Sequence, residues 1–316
     1  MEKTIKQQIS EFLKPDDLWN IFGIKSQEDF IEKLVCKGKF HANVPKEIKD
    51  DYIIVERLLF FSYFKYPLID EAFGKSTRIF EASIDLKIKN LNIEKKGFES
   101  LNSKINRLEK YSSIELHKQW LDSKALRNLF AHHEAGRLMG ITLMNAFKHN
   151  INMINTVFLT KKEISEKEDS LLSIVNKSNH LKEGLFILEY KNKSFLICSM
   201  IPYTSIVKNN VEMSFWVLHP VYGKKNIVEI SNFPDPFMLN LKNLNINENG
   251  LSAEVIETNE IIKVTSTDKF ENKEIQDYHF KQMVEIDLKL KRVYSTLLQN
   301  NLNKKVTEFI YNYTWK

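Results

Sequence analysis

The sequence predicts an α+β chain that is mainly α: a helical bundle, then a β-rich domain, then C-terminal helices. Three observations carry this expectation. Between Asp50 and Phe158 large apolar residues recur at the three- and four-residue spacing of helices. From Gly184 the period changes to short apolar runs separated by Lys-Asn, Asn-Asn and Asn-Gly turns. After Phe270 the helical spacing returns.

Taken in order, residues 1–48 read as an N-terminal helical segment. Ile5, Ile9 and Phe12 share a face, Pro15-Asp16-Asp17 reads as a helix start, and Phe30, Ile31, Leu34 and Val35 suggest another helix. Gly38 and Pro45 then punctuate the chain. Residues 49–160 form the expected bundle. Asp50 to Tyr66 is apolar nearly all round, as a central buried helix would be. Phe73, Phe80, Ile84, Ile88 and Leu91 mark the next helix, and Phe98, Leu101, Ile105 and Leu108 a shorter one. Ile114, Leu121, Ala125 and Leu129 mark one more, and Leu143 to Phe158 the last. Four to five helices with short connections suit an up-and-down bundle.

Residues 161–182 are charged and read as a linker helix, with Ser165 and Glu168 spaced as a capping box. Residues 183–270 read as the β-rich domain: a hairpin from Leu185 to Ile197, then strands at Val211–Leu218, Ile227–Ile230, Leu251–Ile256 and Ile261–Val264. Residues 271–316 complete the chain as helices.

Composition narrows the function classes. Hydrophobic content is 43% and charged content 28%, which suits a soluble globular protein. No apolar run reaches the length of a membrane span, and Met1 to Lys14 lacks the apolar middle of a secretory signal. Cys36 and Cys198 stand alone and far apart, so neither a disulfide framework nor a zinc cluster is expected and a cytoplasmic setting is. The net charge of +5 permits contact with a polyanion without demanding it. There is no phosphate-binding glycine loop, dinucleotide fingerprint or nucleophile elbow. His132-His133-Glu134 does not have zinc-ligand spacing.

One motif carries chemistry: Arg127-Asn128-Leu129-Phe130-Ala131-His132. With six arginines (Arg57, Arg78, Arg107, Arg127, Arg137, Arg292) and 8 histidines in 316 residues, an accidental Arg-x4-His match is expected about 0.15 times. Histidine titrates near neutrality and can move a proton. Arginine is always charged, and its planar fork matches phosphate oxygens. Together they suit cleavage of RNA by its own 2′-hydroxyl without a metal or other cofactor. On one straight helix the two side chains point about 140° apart, whereas Asn128 and His132 share a face. The helix either ends between them, as Gly136 hints, or the site is built across a two-fold axis. The plainer readings are a core histidine at His132, continuing the Leu129 stripe, and a surface arginine at Arg127 paired with Asp122 or Glu134.

The motif resembles the signature of the HEPN superfamily, helical nucleotide-binding domains that include many endoribonucleases. Asn128 fits the amide, acid or histidine usual after that arginine. The resemblance covers about residues 49–160 and implies a HEPN-like helical bundle followed by the β-rich domain and C-terminal helices. It also implies a homodimer with two motifs facing each other, and RNA as substrate in bacterial defence or toxin-like growth arrest, under an antitoxin or other regulatory partner. On this reading Arg127 stabilises the scissile phosphate, His132 is the general acid or base, and Asn128 orients or binds. His133 and Lys124 are candidate substrate contacts. Glu134 stands where some members carry a tyrosine, which sets the chain apart from that sub-group. The alternative is a non-catalytic HEPN-like module that binds RNA, a nucleotide or a protein. The basic pairs Lys161-Lys162, Lys224-Lys225 and Lys304-Lys305 read as solvated surface, and the aromatics Tyr203, Phe215, Trp216 and Tyr222 as strand core.

Overall fold

The computed structural model describes residues 4–94, 97, 99–112, 114–116, 120, 140–222, 227 and 229–315. They divide into two compact units, residues 1–161 with Trp315 and Lys316, and residues 162–314.

The first unit is helical: α1 (Ile5–Phe12), α2 (Leu18–Ile21), α3 (Gln27–Leu34), α4 (Lys46–Phe61), α5 (Leu68–Asn90), α6 (Leu101–Tyr111) and α7 (Met144–Val157). Local chemistry starts several of them. Thr4 and Gln7 form a capping box ahead of α1, Ser26 accepts the Asp29 N–H at the head of α3, and Ser100 accepts the Ser103 N–H at the head of α6. The core is aromatic. Trp19, Phe30, Tyr52, Phe73, Phe80 and Phe147 are all buried, and the Phe73 and Phe147 rings meet edge to face at 5.5 Å, joining α5 to α7.

A stripe of buried amides on α7 ties down irregular chain. Asn155 accepts the His41 N–H at 3.0 Å and donates to the Lys39 carbonyl at 2.8 Å. Asn152 accepts from the Trp315 indole at 2.6 Å, with Trp315 5% exposed. Trp315→Phe keeps most of the packing and removes that donor. We expect a loss of roughly 1–2 kcal/mol of stability, measured by denaturant melting. An unchanged midpoint would show that the indole bond contributes nothing.

The second unit is a closed antiparallel barrel of six strands: β1 (Phe186–Tyr190), β2 (Lys193–Lys208), β3 (Val211–Pro220), β4 (Phe237–Asn247), β5 (Gly250–Val255) and β6 (Ile261–Ser266). Each strand pairs with the next, and β6 closes on β1 through Phe186↔Ser266 and Leu188↔Val264. Tight turns at Lys191-Asn192 and Asn209-Asn210 take positive φ at both central residues, as two-residue hairpins with right-handed twist require. Leu188, Met200, Trp216, Leu241, Ile262 and Val264 fill the interior. α8 (Lys161–Lys177) contributes Ile174 to that core, and its Ser170 hydroxyl bonds the Ser205 hydroxyl at 2.7 Å. α9 (Phe270–Glu285) and α10 (Leu288–Phe309) follow β6. Leu302 and Phe309 of α10 cover Ile206, Phe215 and Val217. β3 is therefore apolar on both faces, Trp216 toward the interior and Phe215 beneath a helix.

The expected HEPN-like helical bundle followed by a β-rich domain is thus overturned. The described residues make ten α-helices shared between two units, and the β region is a closed six-stranded antiparallel barrel with helices from both of its flanks in the same unit. Apolar spacing reports which residues form helices, but not which helices share a core. The β6–β1 pairing joins the two ends of the β region and leaves no local trace. Two details also differ. The expected strand at Ile227–Ile230 is not seen in its described residues: Ile227 and Glu229 lie in no strand, and Ile230 begins a short 3-10 turn (Ile230–Asn232). Ser165 does not cap a helix but lies within α8, bonding Asp169. Among the described residues no helix is long and apolar enough to cross a membrane.

His279 on α9 is 5% exposed, and its Nδ1 accepts the Tyr222 backbone N–H at 3.2 Å. The ring is therefore neutral, with its proton on Nε2. Burial pushes the pKa of His279, and that of His219 on β3, below the ordinary 6.5. The unfolded chain then binds more protons than the folded one as pH falls below about 6.5, so stability is complete above that value and declines toward the depressed folded pKa. Melting curves from pH 7.5 to 5.0 should show this decline, and His279→Gln, which retains an acceptor, should flatten it. A pH-independent melt would contradict the buried neutral rings.

Candidate functional site

Lys124, Arg127, Asn128, His132 and His133 lie within residues 121–139, outside the described residues. What the structure describes is the frame at either end of that segment, and both ends rest on α5.

On the N-terminal side, the chain leaves α6 through a series of local bonds. The Ser112 hydroxyl donates to the Leu108 carbonyl at 2.7 Å and accepts the Ile114 N–H at 3.3 Å. Glu109 accepts the Leu116 N–H, and the Trp120 N–H reaches the Leu116 carbonyl at 2.7 Å. Trp120 is 2% exposed, and its ring lies 5.8 Å from that of Phe80 on α5. Among the described residues its buried indole N–H has no hydrogen-bond partner, and its ring packs on Phe80.

On the C-terminal side, the Gly140 N–H donates to the Asp70 carboxylate at 3.1 Å, and the Ile141 N–H to the Tyr66 hydroxyl at 3.0 Å. Gly140 has φ +50°, and a Cβ there would stand 2.0 Å from the Tyr66 hydroxyl oxygen. Only glycine fits both the left-handed backbone and the approach to Tyr66. A 3-10 turn (Gly140–Leu143) then leads into α7, where Asn150 donates to Ser76 of α5 at 3.1 Å. Asp70, Phe73, Ser76 and Phe80 follow one another at helical spacing, so one stripe of α5 carries both anchors and the α7 contacts between them. Asp70 and Phe80 are about 15 Å apart along the helix at about 1.5 Å per residue.

Three cations of the helical unit are engaged by acids. Lys104 bonds Asp85 at 2.8 Å and Glu81 at 3.3 Å. Burial works against its charge, but the two carboxylates outweigh burial and hold its pKa above the usual lysine value. Arg107 pairs with Glu99 and Lys75 with Asp51. These side chains neutralise acids of the helical unit rather than present a phosphate track.

Several sequence-level readings can be located. Lys161, Lys162, Lys304 and Lys305 are exposed, with Lys162 near Glu166 and Lys305 near Glu308, while Lys224 and Lys225 lie outside the described residues. Phe215 and Trp216 are buried in the barrel unit and have no face free to stack on a base. Neither Cys36 nor Cys198 is in a disulfide, and burial raises the Cys198 pKa. Among the described residues no cluster of three or more His, Cys, Asp or Glu is placed to hold a metal ion. Sequence reasoning missed the anchors Tyr66, Asp70, Phe80 and Trp120. The available signal was Gly140, a glycine a few residues past the motif and immediately before a helix.

Comparison with family models, with curated proteins and with solved structures yields no match to this chain.

Proposed function

We propose that the chain is a metal-independent endoribonuclease whose centre is the Arg127-Asn128-x3-His132 motif. The reading rests on the motif's chemistry and its resemblance to HEPN nucleases, not on overall architecture. The observation that supports it is the frame: Trp120 and Gly140, the described residues on either side of the five candidates, both meet one helix. Anchoring a reactive segment on a rigid element suits a site that must hold its groups in register.

In the proposed reaction the ribose 2′-oxygen attacks the adjacent phosphorus as its proton passes to a base. The 5′-oxygen leaves and takes up a proton. The products are a 2′,3′-cyclic phosphate and a 5′-hydroxyl. His132 serves one or both proton transfers. Arg127 meets the charge that grows on the phosphoryl oxygens, and Asn128 orients the imidazole or binds phosphate. Lys124 and His133 contact the RNA. Lys75, Lys104 and Arg107 are paired with acids, and the proposal assigns phosphate recognition to the motif segment.

The test is product chemistry. RNA incubated with the protein in EDTA should acquire cyclic-phosphate and 5′-hydroxyl ends. RNA that stays intact while remaining bound would support the non-catalytic module, and 5′-phosphate ends would rule out 2′-hydroxyl attack.

A further inference from the structure

We propose that the cleft where β6 closes on β1 binds the carboxy-terminal residues of a partner peptide, laid as a short strand beside Ile261. The proposal does not depend on the RNA reading.

The barrel closes along a seam that opens at one end. β1 and β6 pair from Phe186↔Ser266 only as far as Glu189↔Lys263. The β1–β2 ladder runs on to Tyr190↔Lys193, and the β5–β6 ladder reaches Glu254↔Ile261. The hairpin tip and the head of β6 therefore stand side by side without pairing. A cavity of about 460 Å³ lies between them, with walls that include Glu189, Tyr190, Lys191, Lys193, Glu260 and Ile261. This is the size of a small-ligand site, and the mouth of a β-barrel is a common place for one.

Bonded positions in an antiparallel ladder alternate, and the alternation fixes where the Ile261 backbone points. On the β5 side the Ser266 N–H reaches the Asn249 carbonyl at 2.7 Å, and the Val255 N–H reaches the Glu260 carbonyl at 2.9 Å. The even-numbered residues of β6 thus bond toward β5. On the β1 side the Thr267 N–H reaches the Leu185 carbonyl at 2.9 Å, so Thr265, Lys263 and then Ile261 face β1. That pairing stops at Lys263. The Ile261 N–H and C=O are directed into the opening, a donor and an acceptor set for one more extended chain. Strand addition of this kind takes its affinity from main-chain bonds.

The side chains suit a peptide end. Ile261 is 76% exposed and Tyr190 only partly buried, which offers apolar contact to a last side chain. The Lys191 ammonium stands 5.1 Å from the centre of the Tyr190 ring. Among the described residues neither Lys191 nor Lys193 forms an ion pair, so both are open to a terminal carboxylate. Glu189 and Glu260 line the same cleft and repel a run of phosphates, while they can accept N–H groups of a peptide. Charge complementarity therefore favours a single carboxylate on an amide backbone over a nucleic-acid strand.

The experiment is fluorescence anisotropy of the whole chain with pentapeptides labelled at the amino end and finishing in Val, Leu or Phe, each as free acid and as carboxamide. At least one free acid should bind saturably, and its carboxamide at least tenfold more weakly. Lys191→Gln combined with Lys193→Gln should bring the acid to the level of the amide. Ile261→Pro deletes the N–H that faces the opening and breaks no bond to β5, so it should abolish binding with an unchanged circular dichroism spectrum. Ile261→Ala keeps that N–H and should bind more tightly than the proline variant. If the proline variant folds poorly, the acid–amide comparison and the lysine pair still decide. The proposal is overturned if no free acid binds up to about 1 mM, if acid and amide bind equally, or if binding ignores the lysine pair. It is equally overturned if labelled single-stranded RNA, and no peptide, loses binding in the lysine double variant.

Discussion

Replacing His132 by alanine is expected to slow RNA cleavage in EDTA by roughly 10²–10⁴-fold, the usual contribution of a positioned acid or base. Arg127→Ala should cost a comparable factor through lost charge stabilisation. Arg127→Lys should recover only part of it, because a point charge replaces a fork matched to phosphate oxygens. Asn128→Ala should be milder if the amide only orients the ring. Lys124→Ala and His133→Ala should raise KM and leave kcat nearly unchanged, as removed binding contacts do. A limb in the pH–rate profile of wild type should be absent in His132→Ala, since the variant lacks the proton-transfer group. Equal rates in wild type and both alanine variants would end the catalytic proposal. A large drop in melting temperature for His132→Ala would instead identify a structural histidine.

The second large effect is expected at Gly140. A Cβ at that position meets the Tyr66 hydroxyl oxygen at 2.0 Å and the ring at 2.3 and 2.4 Å, on a backbone with φ +50°. The left-handed conformation costs an L-residue about 1–2 kcal/mol, and forcing atoms into packed space adds about 1–3 kcal/mol. Gly140→Ala should therefore destabilise the helical unit by roughly 2–5 kcal/mol, lowering its melting temperature by roughly 2–4 °C per kcal/mol. Activity should fall with it, because the C-terminal anchor of the motif segment shifts. Tyr66→Phe separates the two causes: it removes only the acceptor for the Ile141 N–H and should cost about 1–3 kcal/mol. Tyr66→Ala combined with Gly140→Ala should cost less than the sum of the single changes, since the clash needs both partners. A Gly140→Ala variant that melts and cleaves like wild type would contradict this geometry.

Local pattern and long-range pairing account for what was legible. The Lys191-Asn192 turn and the flanking strands follow from a two-residue turn between apolar runs, and β1 and β2 form that hairpin. β4 was missed although Leu239 and Leu241 alternate with polar residues. The alternation slips at Asn243, which has φ +54°, and resumes on Leu244 and Ile246, because a bulge interrupts the β4–β5 register there. α4 reads as fully buried from its apolar content, yet Ile53, Ile54 and Phe61 are close to half exposed. Apolar content counts residues and does not say which side of the helix stays exposed; Asp50 and Arg57 share the exposed side. The motif is readable because its chemistry is compact in sequence. Its anchors are not, since Tyr66 and Asp70 lie some seventy positions from the Gly140 and Ile141 they bond.

What this sequence determined unaided is local: helix spacing, turns at Lys191-Asn192 and Asn209-Asn210, and an arginine–histidine pair suited to RNA chemistry. Each depends on residues a few positions apart. The tertiary structure decided the rest: that β6 closes on β1, that α8 and α10 line the barrel strands, and that α5 holds both ends of the motif segment. Those outcomes depend on side chains far apart in the chain excluding water together, and no short window of sequence contains both partners.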